Sequence, residues 1–125
     1  MIIFDTLDEL ESYKLTYDFF DAVIEVMDHS TPYEENPGEY PNPGKDRGVH
    51  IVDAHLSSDS GFFEGRKDGK NIVEICLEGE YMVNIEGSVF RLSPGRFIAY
   101  SGESEIKRGI MYSLPVAFKS VRFVF

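Results

Sequence analysis

Residues 71–100 read NIVEICLEGEYMVNIEGSVFRLSPGRFIAY, and the fold is decided there. Runs rich in β-branched and aromatic residues alternate with glycines at 79, 87, 95 and 102. Glycine reaches the left-handed backbone angles that tight turns need. Short strands at such even spacing predict a sandwich or a barrel. The central strand sets Ile72, Glu74 and Cys76 on one face, because successive side chains of a strand point to opposite sides.

The same rhythm extends outward. VHIVDAHL, from Val49, is a strand with His50, Val52, Ala54 and Leu56 on one face and Val49, Ile51, Asp53 and His55 on the other. SSDSG is a turn, FFEGR a short strand, and KDGKN a turn around Gly69. The closing strand, VAFKSVRFVF, sets Val116, Phe118, Ser120, Arg122 and Val124 against Ala117, Lys119, Val121, Phe123 and Phe125.

Before residue 49 the texture differs. Thr6-Leu-Asp-Glu9 has the capping-box pattern, so a helix is expected from Leu7 to Tyr13. Thr16 is expected to cap a second helix, YDFFDAVIEVMDH. Its Phe19, Phe20, Val23, Ile24 and Met27 recur at helical spacing, with Asp18, Asp21, Glu25 and Asp28 opposite. His29 falls at its C-terminal end, where a cation favours the dipole. Residues 30–48 hold four of the six prolines and three glycines, which predicts irregular chain. No helix is expected after residue 29. The expectation is one domain over 1–125: a helical segment 1–29, a Pro/Gly-rich loop 30–48 and a β-barrel 49–125.

Composition narrows the function classes. The chain has 125 residues, 42% hydrophobic and 27% charged, as ordinary globular domains do. A formal net charge of -10 repels phosphate backbones, so no nucleic-acid partner is expected. No apolar run is long enough to span a bilayer, and the acidic opening MIIFDTLDEL is not a secretory leader. Cys76 is the only cysteine, which excludes an intrachain disulfide and a cysteine-rich metal site. A reducing, cytoplasmic setting fits. There is no phosphate-binding glycine loop, no His-Glu-x-x-His and no nucleophile elbow. Cys76 is expected to be a small core residue, since no histidine near it in sequence would support a thiolate.

LEGEYMVNIEGSVFRLSPGRFIAY resembles the hairpin and return strand of cupin-type jelly rolls. MIIFDTLDELESY resembles the opening of the YhcH/YjgK/YiaL family, which includes the small subunit of the evolved β-galactosidase. GEYPNPGKDRGVHIVDAHL resembles that family's Gly-x-Tyr segment and next strand. FFEGRKDGKNIVEICLEGEY is similar to its Glu-x-His segment and the strand ending in Glu-Gly-Glu. FRLSPGRFIAYSGESEIKRG and PVAFKSVRFVF resemble its last two strands. The resemblance implies a mostly β, cupin-like double-stranded β-helix (a jelly-roll barrel) behind two short N-terminal helices. It implies a divalent metal and a sugar-sized pocket in the interior. The implied function is small-sugar handling, as an anomerase, epimerase or isomerase, or as a non-catalytic accessory module. A third reading is a dimeric scaffold whose barrel is filled with side chains.

The departures fall on the implied metal site. Glu64 matches the family's Glu, but Arg66 stands at the histidine place, or Lys67 if the gap is moved. Glu74 stands at a glutamine place, and Glu105, Ile106 and Lys107 lie near the second histidine place. Guanidinium and ammonium are not metal ligands and repel a divalent ion, so no metal ligands are assigned. His50 or His55 offers an imidazole from a neighbouring strand, or both are strand histidines without that role. A charge cluster takes the metal's place in one reading. Glu64 and Glu74 are then the acid/base pair, and Arg66, Lys67 and Glu105 bind a sugar or sugar acid. The alternative is a plain surface ion pair worth under about 1 kcal/mol. Lys119 and Arg122, on opposite faces of the last strand, complete the substrate-binding candidates. A homodimer through sheet edges or arms is expected.

Overall fold

The computed structural model describes residues 1–29, 31–56, 63–64, 71–102, 104, 106–109 and 117–125. The strands are β1 (Ile2–Thr6), β2 (Gly38–Pro41), β3 (Val49–Leu56), β4 (Phe63–Glu64), β5 (Asn71–Glu78), β6 (Tyr81–Ile85), β7 (Ser88–Leu92), β8 (Arg96–Ser101), β9 (Ile106–Gly109) and β10 (Ala117–Val124). A 3₁₀ turn, Leu7–Glu9, leads into α1 (Leu10–Lys14), followed by α2 (Phe20–Asp28) and α3 (Thr31–Glu34).

Two antiparallel sheets form. One has the order β1-β8-β5-β10-β3-β2, the other β4-β9-β6-β7. From β5 onward the chain passes between them: β5 in the first, β6 and β7 in the second, β8 back, β9 across, β10 back. This double-stranded β-helix is the cupin-like jelly roll, mostly β with short helices on one side. Among the described residues, no helix is long and apolar enough to cross a membrane.

The alternation of each strand divides the buried side chains into two cores. On one face of the six-stranded sheet, Val52, Val73, Ile75, Phe97, Val121 and Phe123 pack under Leu10, Phe20, Val23 and Val26 of α1 and α2. On the other face, Ile72, Cys76, Ile98, Tyr100 and Phe118 meet Tyr81, Val83, Ile85 and Leu92 inside the barrel. The turns follow from backbone chemistry. Glu86 (φ 50) and Gly87 (φ 91) link the paired residues Ile85 and Ser88, the two-residue hairpin geometry with both central φ positive. At Gly48 (φ +75), a Cβ would sit 2.2 Å from the Val124 carbonyl oxygen, so only glycine lets the chain enter β3 there.

Several local expectations are corrected. Thr6 makes no side-chain cap. It is extended (φ -83, ψ 155) as the last residue of β1, and its amide donates to Asp5 Oδ1 at 2.7 Å. Residues 2–6 of the expected helical segment are thus an edge strand pairing with β8, from Ile2 opposite Tyr100 to Thr6 opposite Arg96. Thr16 caps nothing either: its amide closes a turn onto the Tyr13 carbonyl, and α2 begins at Phe20. His29 does occupy the C-cap of α2. The segment 30–48 is not wholly irregular. It contains α3, whose Pro32 sits in the first turn where no amide donor is required, and β2, which pairs with β3. Pro41 is tolerated because β2 is the sheet's edge.

Candidate functional site

One register row crosses the inner face of the large sheet. Ile51 on β3 lies opposite Arg122 on β10, Arg122 opposite Glu74 on β5, Glu74 opposite Ile98 on β8, and Ile98 opposite Phe4 on β1. The alternation that buries Ile72 and Cys76 therefore carries the Glu74 carboxylate inward too. Glu74 has 0% exposure. Such burial is costly unless the carboxylate oxygens find donors. Tyr81 Oη donates to Oε1 at 2.8 Å and Tyr100 Oη to Oε2 at 2.9 Å. Tyr100 comes from the same sheet as Glu74 and Tyr81 from the opposite one, so the carboxylate joins both walls of the barrel.

Beside it runs a second polar pair. Arg122 Nη2 donates to Asp53 Oδ2 at 2.7 Å, with side chains 17% and 30% exposed. Asp53 lies opposite Ser120, and Ser120 opposite Cys76 across a register shift in β10. The interior thus has a dry carboxylate at its centre and a wetter Arg–Asp pair on the adjoining strands. Cys76 Sγ lies 3.3 Å from the carbonyl oxygens of Glu78 and Gly79, which it meets as a thiol donor. Burial, helped by the Glu74 charge, pushes that thiol up to about 12. Cys76 is therefore a neutral core residue at physiological pH, as its sequence setting predicts.

The described residues do not fit a metal. Among them no three His, Cys, Asp or Glu side chains converge as ligands. Both Glu74 oxygens accept from phenols, and the Cys76 thiol keeps its proton. His50 lies on the helix-covered face, with both ring nitrogens already taken up by Asn42 and Glu35. The side chain of His55 lies outside the described residues.

The candidates from sequence separate as follows. Glu74 and Arg122 share the interior face, in directly opposed register. Lys119 does not join them. It lies on the alternate face, and its Nζ donates to the Tyr33 carbonyl at 2.9 Å. The backbone of Glu64 pairs with Lys107, and Lys107 with Asn84, but its side chain lies outside the described residues. Arg66, Lys67 and Glu105 lie outside them entirely. Sequence reasoning missed Tyr81 and Tyr100 as site residues. Tyr100 lies opposite Ile72, two residues along β5 from Glu74, so the pairing of β5 with β8 was the signal that could have found it. Tyr81 reaches Glu74 only through closure of the two sheets, for which the sequence holds no local signal.

No family model matches the chain, and no curated protein matches it. Solved structures do. A DUF861 family protein from Thermotoga maritima aligns at 10% identity with a TM-score of 0.54, covering 100% of both chains. Protein NMB1881 from Neisseria meningitidis aligns at 11% identity with a TM-score of 0.54, over 72% of this chain and 82% of that one. The protein TT1209 from Thermus thermophilus aligns at 18% identity with a TM-score of 0.51, over 71% and 84%. Identities this low show a shared fold and nothing of activity.

Proposed function

We propose that the protein handles a small sugar or sugar acid in its barrel, as a diverged relative of the YhcH/YjgK/YiaL proteins its sequence resembles, with Glu74 as the general acid/base. One observation carries the reading: a fully buried carboxylate faces the barrel interior beside the apolar cluster there, each oxygen held by a tyrosine hydroxyl. A barrel closed only for stability gains nothing from a buried charge, since apolar residues of similar volume serve as well or better. Anomerisation moves a proton between the anomeric hydroxyl and the ring oxygen. Epimerisation and isomerisation take one from the carbon beside a carbonyl. Either needs a placed proton acceptor, and a substrate hydroxyl replacing one tyrosine donor would bring Glu74 within reach. Glu64 is the proposed second carboxylate. Arg122 is the proposed orienting cation, with Arg66, Lys67 and Glu105 in the proposed binding set. Lys119, on the far face, is left out of it. A homodimer is the proposed assembly.

A second reading has its own support. Glu74 is satisfied without any ligand, which favours a non-catalytic module or a filled barrel. Thermal melting against a panel of monosaccharides and sugar acids separates the two. A ligand at about 100 times its dissociation constant stabilises by about 2.7 kcal/mol. The expected result is a shift of several degrees with at least one sugar, lost in Glu74→Gln. Exchange NMR on that sugar then tests turnover. A panel without any shift supports the filled barrel, and a shift unchanged in Glu74→Gln removes Glu74 from the site.

A further inference from the structure

On the helix-covered face, on the other side of the sheet from the barrel carboxylate, a second buried polar group is left unused. His50 is 3% exposed, between the rings of Tyr40 on β2 and Phe123 on β10, each with its centroid 5.5 Å away. Its Nδ1 lies 2.8 Å from Asn42 Oδ1, and its Nε2 lies 2.7 Å from Glu35 Oε1. The orientation of Asn42 is fixed independently: its Nδ2 donates to the Arg47 carbonyl at 2.8 Å, so a flipped amide would set two oxygens against each other. Both ring nitrogens therefore face acceptors. A neutral imidazole has one donor and one acceptor nitrogen, and only the doubly protonated ring donates from both.

We propose that His50 is a proton-operated latch: as an imidazolium it fastens the Glu35–Asn42 segment to the barrel, and loss of one ring proton releases that segment. Other charged groups nearby are directed elsewhere. The Arg47 guanidinium meets Asp21 and Glu25 of α2, and the Lys119 ammonium meets the Tyr33 carbonyl. Glu39 on β2 is exposed and lies opposite Ile51, on the alternate face. The Tyr40 hydroxyl donates to the Asn36 carbonyl at 2.6 Å, and Phe123 contributes only a ring. Glu35 is thus the counter-charge within hydrogen-bond reach of the ring, and its side chain is 14% exposed. Deprotonation would aim a lone pair at an oxygen at a site where the ring is 3% exposed, and would cost the contact its only proton. The docked segment also carries the bond from Asn42 N–H to the Gly48 carbonyl at 3.0 Å and the β2–β3 ladder from Gly38 to Pro41.

The docked form holds one proton more than the released form, so docking is favoured at lower pH and weakens as pH rises. One linked proton changes the docked-to-released ratio by at most about tenfold per pH unit. The test follows the Asn42 side-chain amide and the backbone amides of Tyr40 and Asn42 by NMR from about pH 5 to about pH 9, spanning the usual histidine range. Exchange rates are corrected for intrinsic base catalysis. The wild type should lose about tenfold or more of its amide protection across the range, in step with the His50 ring resonances. His50→Gln should start with lower protection and show no such pH dependence. Where that variant fails to fold, Glu35→Gln keeps the shape, removes the counter-charge and should release the segment at lower pH. Protection that is flat with pH in the wild type, or identical in Glu35→Gln, overturns the latch.

Discussion

Val73, Ile75, Val121 and Phe123 alternate along β5 and β10 with Ile72, Glu74, Ser120 and Arg122. The first set packs under the helices and holds only hydrocarbon and aromatic rings. The second faces the barrel and contains a carboxylate, a guanidinium and a hydroxyl. Two strands thus serve opposite purposes on their two sides. The helix face gains stability in proportion to the apolar area it removes from water. The interior face places polar groups where they must be satisfied one bond at a time. Among the described residues of β5 and β10, the buried carboxylate and the guanidinium both lie on the barrel side, in directly opposed register.

The largest expected effect lies on the helix face. Phe20 is fully buried and meets Phe97, Tyr13 and Phe19 at ring-centroid distances of 5.7, 5.9 and 4.9 Å. Phe20→Ala removes that contact set and leaves a cavity, so it should cost about 3–5 kcal/mol in urea unfolding. It should leave any ligand shift in proportion, because nothing at Glu74 moves. The contrast between the faces fails if Phe20→Ala abolishes binding while the protein remains folded.

A smaller effect belongs to the tyrosines. Tyr81→Phe and Tyr100→Phe each strip one donor from the buried carboxylate and should cost about 1–3 kcal/mol. The two share one acceptor group, so their costs should not add. Replacing the three together, as Tyr81→Phe/Glu74→Leu/Tyr100→Phe, should recover part of the stability that the single tyrosine changes lose. It should also abolish sugar binding. Retained binding in that variant would show that the ligand sits elsewhere.

The sequence made the strand rhythm legible because its signals are local: glycines at the turns and a period of two between them. The inner and outer sets of β3, β5 and β10 could be sorted correctly for the same reason. Which set faces inward could not, because that depends on where the helices dock. β1 was hidden for a related reason. Its IIFDT precedes a sound capping-box pattern, and pairing with β8, some ninety residues away, outcompeted the local cap. β2 was masked by the prolines around it, which an edge strand can carry and a central one cannot. Glu74 was readable as an odd carboxylate in an apolar strand. Its two tyrosine partners come together only when both sheets close.

The smallest effect tests whether the edge of the fold behaves as either core does. Asp5, on β1, accepts from the Tyr13 hydroxyl of α1 at 2.8 Å and from the Thr6 amide at 2.7 Å. The Tyr13 bond, followed by the Thr6 amide, holds the Asp5 carboxyl below its ordinary 3.8, against a weaker opposing contribution from burial. A lowered carboxylate contributes stability that is fully present above the unfolded value. That contribution disappears as pH falls through the folded one, so it belongs to the acid limb below about pH 4. The same contact pushes the Tyr13 phenol above its ordinary 10.0, and that part is lost only as pH rises beyond the phenol range. Tyr13→Phe should therefore lower the plateau between the two ranges slightly and leave the acid end unchanged, so that the acid limb becomes shallower; the loss is small because half-exposed groups are screened by solvent and salt. No loss at any pH would mean that the Tyr13 ring, which the variant keeps edge-on to Phe97, matters more than its hydroxyl, and that the β1–α1 junction belongs to the helix-side core.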